Sequence, residues 1–136
     1  MTMWNDDMLI DVPKIDEQHR GLTKAIDDLA EACEKNRGED YIRKTLLYIA
    51  NYTKEHFADE EKIQEECEFP HIRMHKKQHS DFVATATELI MEYSTTEEPD
   101  ELAKKICKIL IDWVTNHIRT EDKKIGEYIK ENQTKL

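Results

Sequence analysis

Histidines and carboxylates recur in this sequence at spacings that suit a metal site inside a helical protein. His56 and Glu60 are four residues apart, and so are His75 and His79. Residues four apart lie on one face of an α-helix, so each pair directs two possible ligands toward the same side. A single buried histidine is more often a hydrogen-bonded structural residue. Several ionisable groups buried together would cost too much free energy without compensation, so the clustering favours a bound metal.

Four amphipathic segments are available to position these side chains. Apolar residues recur every three or four positions along each segment, and Gly, Pro, Asn or Thr residues separate one segment from the next. The pattern predicts helices over residues 16–36, 40–66, 70–93 and 99–130, with Asp16 as the N-cap of the first. Short turns between long helices favour an all-α, antiparallel up-down-up-down four-helix bundle.

The length, composition and charge of the chain limit the classes of protein to which it can belong. A chain of 136 residues suits one domain, and residues 1–15 form an arm whose apolar side chains we expect to pack along the bundle. The formal net charge of −10 and the absence of a Lys/Arg stripe disfavour binding to nucleic acid or to an anionic membrane. No stretch approaches the roughly 20 apolar residues of a membrane span, and the first residues lack a secretory pattern. We therefore expect a cytoplasmic protein.

Three cysteines, Cys33, Cys67 and Cys107, are widely spaced and form no C-x-x-C pair. This pattern predicts neither a disulfide framework nor a zinc knuckle. We expect reduced thiols that mostly face the core.

All four predicted helices deliver metal-binding side chains to one level of the bundle. Antiparallel helices rise about 1.5 Å per residue, so positions equidistant from a turn lie side by side. When positions are reflected about each of the three turns, His19 falls beside His56, and the pair His56 and Glu60 falls beside the pair His75 and His79. The last pair in turn falls beside His117. The sequence therefore predicts a single site to which every helix contributes.

His71 is the one histidine that we exclude from the predicted site. His71 extends the spacing of His75 and His79, but a pair formed with His75 would be centred about 6 Å too close to the turn. We therefore expect His71 to be an exposed first-turn residue.

Asp122 follows His117 by five residues, which rotates it by about 140° in a regular helix. A local π-bulge would bring the two side chains into register, and this is our hypothesis.

The ligand set indicates which metal it suits. Imidazole binds zinc, copper, iron or nickel, whereas two carboxylates in the same layer favour bridged octahedral ions over tetrahedral zinc. Five histidines, two carboxylates that each bind both ions, and a bridging oxide or hydroxide fill all but one position of two octahedra. The vacant position predicts a place where a small molecule can bind.

The order of these residues resembles that of the hemerythrin family, and specifically of the bacteriohemerythrins. His19 closes the run Ile-Asp-Glu-Gln-His, and His56-x3-Glu60, His75-x3-His79 and His117-x4-Asp122 follow it. Trp4 in the arm, Phe69-Pro70 before the third helix and Asp112-Trp113 before His117 are also similar to this family. The resemblance covers essentially the whole chain.

The resemblance implies a role for each residue. It implies two iron ions per chain with a bridging oxide or hydroxide, and reversible O2 binding at the iron that has two histidines. One iron would be bound by His75, His79 and His117. The other iron would be bound by His19 and His56. Glu60 and Asp122 would bridge the two. Trp113, Val114 and Ile118 would line the O2 pocket. On periodicity alone these last three are equally well explained as ordinary core residues.

Two other functions remain open at this point. A di-iron oxidase, or an enzyme that scavenges nitric oxide or peroxide, could use the same cluster. Ferritin-like enzymes carry two Glu-x-x-His motifs, whereas only Glu68-Phe-Pro-His71 fits here and it spans a turn, so we favour binding over catalysis. A sensory domain is the third alternative, although we expect no output domain because only residues 130–136 follow Ile129.

Overall fold

A computed structural model of the protein describes residues 2–133, in which four long helical segments and no strand are found. The expected all-α four-helix bundle is confirmed. The segments are α1 (Pro13–Glu34), α2 (Glu39–Glu66), α3 (Ile72–Thr95), and a fourth composed of α4 (Pro99–His117), a π-helical turn (Ile118–Asp122) and α5 (Lys123–Gln133). None of the helices in residues 2–133 is both long enough and apolar enough to cross a bilayer.

The turns that reverse the chain after α1 and α2 share one local structure. Asn36 and Glu68 adopt left-handed conformations with φ of 51° and 56°. The next residues, Arg37 and Phe69, donate their backbone N–H groups to carbonyls of the preceding helix at 3.1 and 2.9 Å. These bonds satisfy carbonyl groups that the helix end would otherwise leave unpaired. The chain therefore turns back within a few residues, which makes successive helices antiparallel neighbours.

The first helix begins earlier than the sequence predicted. Pro13 occupies its first turn, where the missing N–H of proline costs nothing, and Val12 precedes it. The prediction that Asp16 is the N-cap is therefore wrong. Asp16 is buried within α1, and its Oδ1 accepts a hydrogen bond of 2.8 Å from the backbone N–H of Ile10. It ties the arm to the bundle.

The N-terminal arm packs along the bundle, as expected from its apolar side chains. Met8 and Ile10 are buried in it, and a short 3-10 turn spans Asp6–Met8. At one end the backbone N–H of Met3 donates to both carboxylate oxygens of Asp27 at 3.0 Å. At the other end Lys123 donates to the Asp7 carbonyl at 3.0 Å. The arm thus bridges the first helix and the segment that carries Asp122.

Gly126 of α5 lies directly under the arm. A Cβ atom at this position would overlap the carbonyl oxygen of Ile10. Gly126→Ala is therefore expected to lower the free energy of unfolding by about 2 kcal/mol or more, although alanine would by itself favour the helix by about 1 kcal/mol. Denaturant unfolding measures the change. Glu127→Ala, at the exposed neighbouring position, is the control and should alter stability by less than about 0.5 kcal/mol. Equal stability of wild type and Gly126→Ala would contradict this packing.

Candidate metal centre

Seven ionisable side chains from all four helical segments meet in the middle of the bundle. Each has at most 5 % of its surface exposed. They are the seven candidates from the sequence: His19 on α1, His56 and Glu60 on α2, His75 and His79 on α3, His117 on α4, and Asp122 on the π-helical turn. His71 is exposed and lies outside the cluster.

The carboxylate of Glu60 divides its two oxygens between two groups of histidines. Its Oε2 lies 3.2 Å from Nε2 of His56 and 3.6 Å from Nε2 of His19. Its Oε1 lies 2.9 Å from Nε2 of His75 and 3.2 Å from Nε2 of His79. Glu60 therefore stands between a group of two histidines and a group on α3.

The two carboxylate oxygens of Asp122 likewise face different histidines. Its Oδ2 lies 2.9 Å from Nε2 of His19, whereas its Oδ1 lies 2.8 Å from Nε2 of His75 and 3.1 Å from Nε2 of His117. The seven residues consequently form two overlapping ligand groups that share Glu60 and Asp122. One group contains His75, His79 and His117, and the other contains His19 and His56.

The π-helical turn explains how Asp122 reaches this cluster. Residues Ile118–Asp122 form a π-helix that directly follows His117, which confirms the bulge suggested by the five-residue spacing. A regular α-helix would direct Asp122 about 140° away from His117, whereas the wider π turn aligns residues five apart. Asp122 is accordingly only 1 % exposed.

Three imidazole nitrogens converge on one point in the three-histidine group. Nε2 of His117 lies 3.0 Å from Nε2 of His75 and 3.3 Å from Nε2 of His79. Ligands at right angles on a metal with bonds of about 2.1 Å would be about 3.0 Å apart. The spacing therefore suits three adjacent positions of an octahedral ion.

Several atoms of the cluster have no hydrogen-bond partner among the described residues. They include both carboxylate oxygens of Glu60 and both ring nitrogens of His19. The nearby nitrogens approach Glu60 closely but not along hydrogen-bonding directions, and a buried polar group left unpaired is costly. A donor set of imidazoles and carboxylates aimed at common points fits a pair of ions such as iron.

The charges within the cluster perturb one another strongly. Burial by itself would raise the pKa of Glu60, but contacts with four histidines hold the pKa of this carboxyl well below its usual range. Burial likewise would lower the pKa of His19 and His75, but the close carboxylates of Asp122 and Glu60 raise each pKa to about 9. The pKa of Asp122 is also lowered, so both carboxylates stay ionised, and without metal His19 and His75 take up protons at neutral pH.

Outside the cluster, Gln18 orients His56. The amide nitrogen of Gln18 donates to Asp59 at 2.7 Å, so its Oε1 is the acceptor that faces Nδ1 of His56 at 2.8 Å. Nδ1 of His56 must therefore carry the proton, which leaves the Nε2 lone pair directed at the cluster. The hydroxyl of Tyr52 donates to the backbone carbonyl of Gln18 at 2.9 Å and holds this region of α1 in place.

His79 is oriented in an equivalent manner. Glu61 accepts a hydrogen bond of 2.9 Å from its Nδ1, which again leaves Nε2 to face inward. The ring of Phe57 stacks on the His79 ring with centroids 3.7 Å apart, and Trp113 stacks on His117 at 4.3 Å. The roles of Gln18, Glu61 and Phe57 were not predicted from the sequence. Each adjoins a predicted ligand in sequence, and that adjacency was the available signal.

A small cavity of about 10 Å³ adjoins the two-histidine group. Its wall includes His19, His56 and Asp122 together with all three residues expected at the pocket, Trp113, Val114 and Ile118. Four further lining residues, each within one turn of a predicted ligand, were missed: Leu22, Thr53, Phe57 and Phe82. The volume is near the minimum for one water-sized molecule.

A second cavity, mostly apolar and of about 30 Å³, lies beside the first between α2, α3 and α4. The two share Thr53 and Phe82 in their walls. The second cavity extends to Lys54 and Thr87, whose side chains are exposed. The second cavity therefore lies between exposed residues and the cavity beside the two-histidine group.

Comparison with known proteins agrees with this arrangement. The family model described as "Hemerythrin HHE cation binding domain" matches residues 11–129. The chain is 28% identical to a bacteriohemerythrin of Stenotrophomonas maltophilia over 131 residues, which cover 96% of this chain and 82% of the relative. It is 27% identical to a bacteriohemerythrin of Pseudomonas aeruginosa, with 98% and 85% covered. It is 32% identical to a myohemerythrin of Theromyzon tessulatum, with 88% and 86% covered. The chain belongs to the hemerythrin family.

Proposed function

We propose that this protein binds O2 reversibly at two iron ions joined by an oxide or hydroxide. His75, His79 and His117 would hold one ion and His19 and His56 the other, and Glu60 and Asp122 would bridge them, since both ligand groups include these two carboxylates. The observation that carries the proposal is that each carboxylate directs one oxygen to each histidine group. When bound, the iron pair supplies two electrons and one vacant position, which is what reversible O2 binding requires.

The residues around the two-histidine group determine what reaches that position. Trp113, Val114 and Ile118 line the small cavity with apolar surface, and the adjoining apolar cavity provides access for an uncharged gas. Such a wall excludes ions and disfavours water, which slows the loss of electrons from the site. Thr53 contributes the one hydroxyl group of the cavity wall.

Binding rather than turnover is supported by the ligand set and by the relatives. Five of the seven ligand residues are neutral imidazoles when they bind metal, so few anionic groups are available to stabilise highly oxidised iron. The relatives reported above are named as hemerythrins and not for an enzymatic activity. Storage, delivery and sensing of O2 are all compatible with such a site, and the cytoplasmic location stays a prediction from the sequence.

The test is anaerobic reduction of the iron-loaded protein, followed by admission of air. We expect about two irons per chain and a visible absorption band that appears with air and disappears when O2 is removed. Repeated cycles should consume no net O2. Sustained O2 consumption with a reductant present would instead indicate an oxidase, and an absence of iron after reconstitution would exclude the proposed site.

Removal of the Gln18 side chain should weaken iron binding at the two-histidine position. Gln18→Ala deletes the acceptor that fixes the proton on Nδ1 of His56, so His56 loses its orienting partner. Loss of such a partner typically costs 10-fold to 100-fold in metal affinity, and we expect about that decrease. Competition with a chelator, with iron retention followed over time, measures it.

A matched control is available at the other group. Glu61→Ala removes the corresponding partner of His79, so it should weaken the three-histidine position instead. Iron spectroscopy that distinguishes the two ions should therefore show loss of the ion at the two-histidine position in Gln18→Ala and loss of the ion at the three-histidine position in Glu61→Ala. Loss of the same iron in both would contradict the separate orienting roles of Gln18 and Glu61.

A further inference from the structure

Two buried thiols face each other far from the metal cluster. Cys33 lies in the last turn of α1 and Cys107 lies in α4, and their Sγ atoms are 3.6 Å apart. Both are free thiols, with 8 % and 7 % of their surface exposed. A disulfide bond of about 2.05 Å requires the sulfurs to approach by about 1.5 Å.

We propose that Cys33 and Cys107 are a reversible dithiol/disulfide site that hydrogen peroxide oxidises, joining α1 to α4. The proposal does not depend on the metal centre, whose nearest ligand in sequence, His117, is ten residues beyond Cys107. It departs from the expectation that the cysteines are only core-facing reduced thiols. Cys67 is excluded from the pair because it ends α2 at the opposite end of the bundle, where its Sγ lies 3.6 Å from the Gln64 carbonyl.

The surroundings make the two thiols unequal. Either thiol can donate the hydrogen bond between them. With Cys107 as the donor, this bond and the positive charge of Lys104 lower the pKa of Cys33, although burial and the carboxylates of Asp100 and Glu34 oppose this. The same hydrogen bond, together with burial, raises the pKa of Cys107. In this arrangement Cys33 is the nucleophile, because the thiolate is the reactive form, and Cys107 is the thiol that resolves the intermediate.

The chemistry balances with peroxide as the only oxidant. The Cys33 thiolate attacks one oxygen of hydrogen peroxide, the O–O bond breaks, and hydroxide leaves, giving a sulfenic acid. The sulfur of Cys107 then attacks the sulfenic sulfur, and the S–O bond breaks. The proton of Cys107 and the hydroxyl group depart as water. Two thiols lose two electrons in total, which reduce one peroxide molecule to two molecules of water.

Formation of the bond would have a large effect on stability. Cys33 and Cys107 are 74 positions apart, so the disulfide closes a long loop of the unfolded chain. It joins the first helical segment to the fourth, which are neighbours in the bundle. A cross-link over a loop of this length should raise the melting temperature by about 10 °C. Reduction should reverse the change.

The test treats the full-length, iron-loaded protein with a molar excess of hydrogen peroxide, then denatures it and labels its thiols with a maleimide polymer. Reduced protein should take three labels and oxidised protein one. Mass spectrometry of the digest should then reveal a peptide in which Cys33 is linked to Cys107. Cys67→Ser should form this link as wild type does, whereas Cys33→Ser and Cys107→Ser should not form it.

The proposal would be overturned by three labels after treatment, by a linked peptide that contains Cys67, or by sulfinic acid at Cys33 without a link. The wild-type digest decides this even if a serine variant folds poorly. Circular dichroism of the wild type before and after oxidation gives an independent measure. A melting temperature that does not rise, or a rise that persists in Cys33→Ser, would also contradict the proposed cross-link.

Discussion

Glu60→Gln is expected to reduce bound iron from about two ions per chain to fewer than one. The substitution preserves the shape of a fully buried side chain but removes the negative charge, and its amide nitrogen cannot act as the second bridging ligand. One oxygen of Glu60 faces the two-histidine group and the other faces the three-histidine group, so loss of the negative charge affects both ions at once. Iron analysis after anaerobic reconstitution and desalting measures the change.

Two controls separate bridging from general effects of charge. Glu65→Gln makes the same change at an exposed position of α2, where the carboxylate pairs with Lys76, and should leave the iron content unaltered. His71→Ala removes the histidine that lies outside the cluster and should also leave it unaltered. His117→Ala should lower it. Retention of two irons by Glu60→Gln would show that this carboxylate does not bridge them.

The sequence was sufficient to predict the common level of the cluster because helix geometry is regular. Once the turns are located, a constant rise per residue determines which positions of antiparallel helices lie side by side. The constant rise relates His19 to His56 and excludes His71. In the structure His19 and His56 lie in one ligand group, and His71 is exposed outside the cluster. Asp122 required an irregular element, and its five-residue spacing from His117 was itself the indication of a π turn.

The residues that orient the ligands were not predictable in the same way. Gln18 and Glu61 are polar residues in a chain that is 37% charged, so their type carries little information. Their roles depend on the rotation of two helices against each other, which brings Gln18 of α1 within 2.8 Å of a ring on α2. Periodicity gives the face of a helix but not this pairing.

The N-terminal arm illustrates another limit of the sequence. Its apolar content predicted that it would pack, but not the contacts that fix its path. Asp16 resembles an N-cap from its type and position, yet Pro13 already starts the helix and the carboxylate binds the arm instead. Gly126 likewise gives no sign in the sequence that the backbone of Ile10 approaches it closely. These contacts between distant segments are decided by packing rather than by local preference.

The stability of the metal-free protein is expected to fall as the pH rises from 6.5 to 9. His19 and His75 each have a pKa of about 9 when folded, against 6.5 for an ordinary histidine. A raised pKa contributes stability that is fully present below pH 6.5 and is lost as the pH rises through about 9. The combined loss should be several kcal/mol, since each pKa unit corresponds to about 1.4 kcal/mol. Denaturant unfolding of chelator-treated protein across this range measures it.

The carboxylates set the acid side of the same profile. The pKa of Glu60 and that of Asp122 are held below their usual values, so their contribution is present above about pH 4.5 and is lost as the pH falls below that. Metal-free protein should therefore be most stable between about pH 4.5 and 6.5. Glu60→Gln should flatten the decline above pH 6.5, because it removes one of the two partners that raise the histidine pKa values.

Iron-loaded protein should behave in the opposite way over the same range. Metal binding requires neutral imidazoles, so protons compete with iron for His19 and His75, and a rising pH strengthens binding. Its stability should hold or increase between pH 6.5 and 9, whereas that of the metal-free protein declines. The difference between the two slopes gives the number of protons that iron displaces. Parallel slopes would mean that iron does not bind to these histidines, because protons and metal would then occupy different atoms.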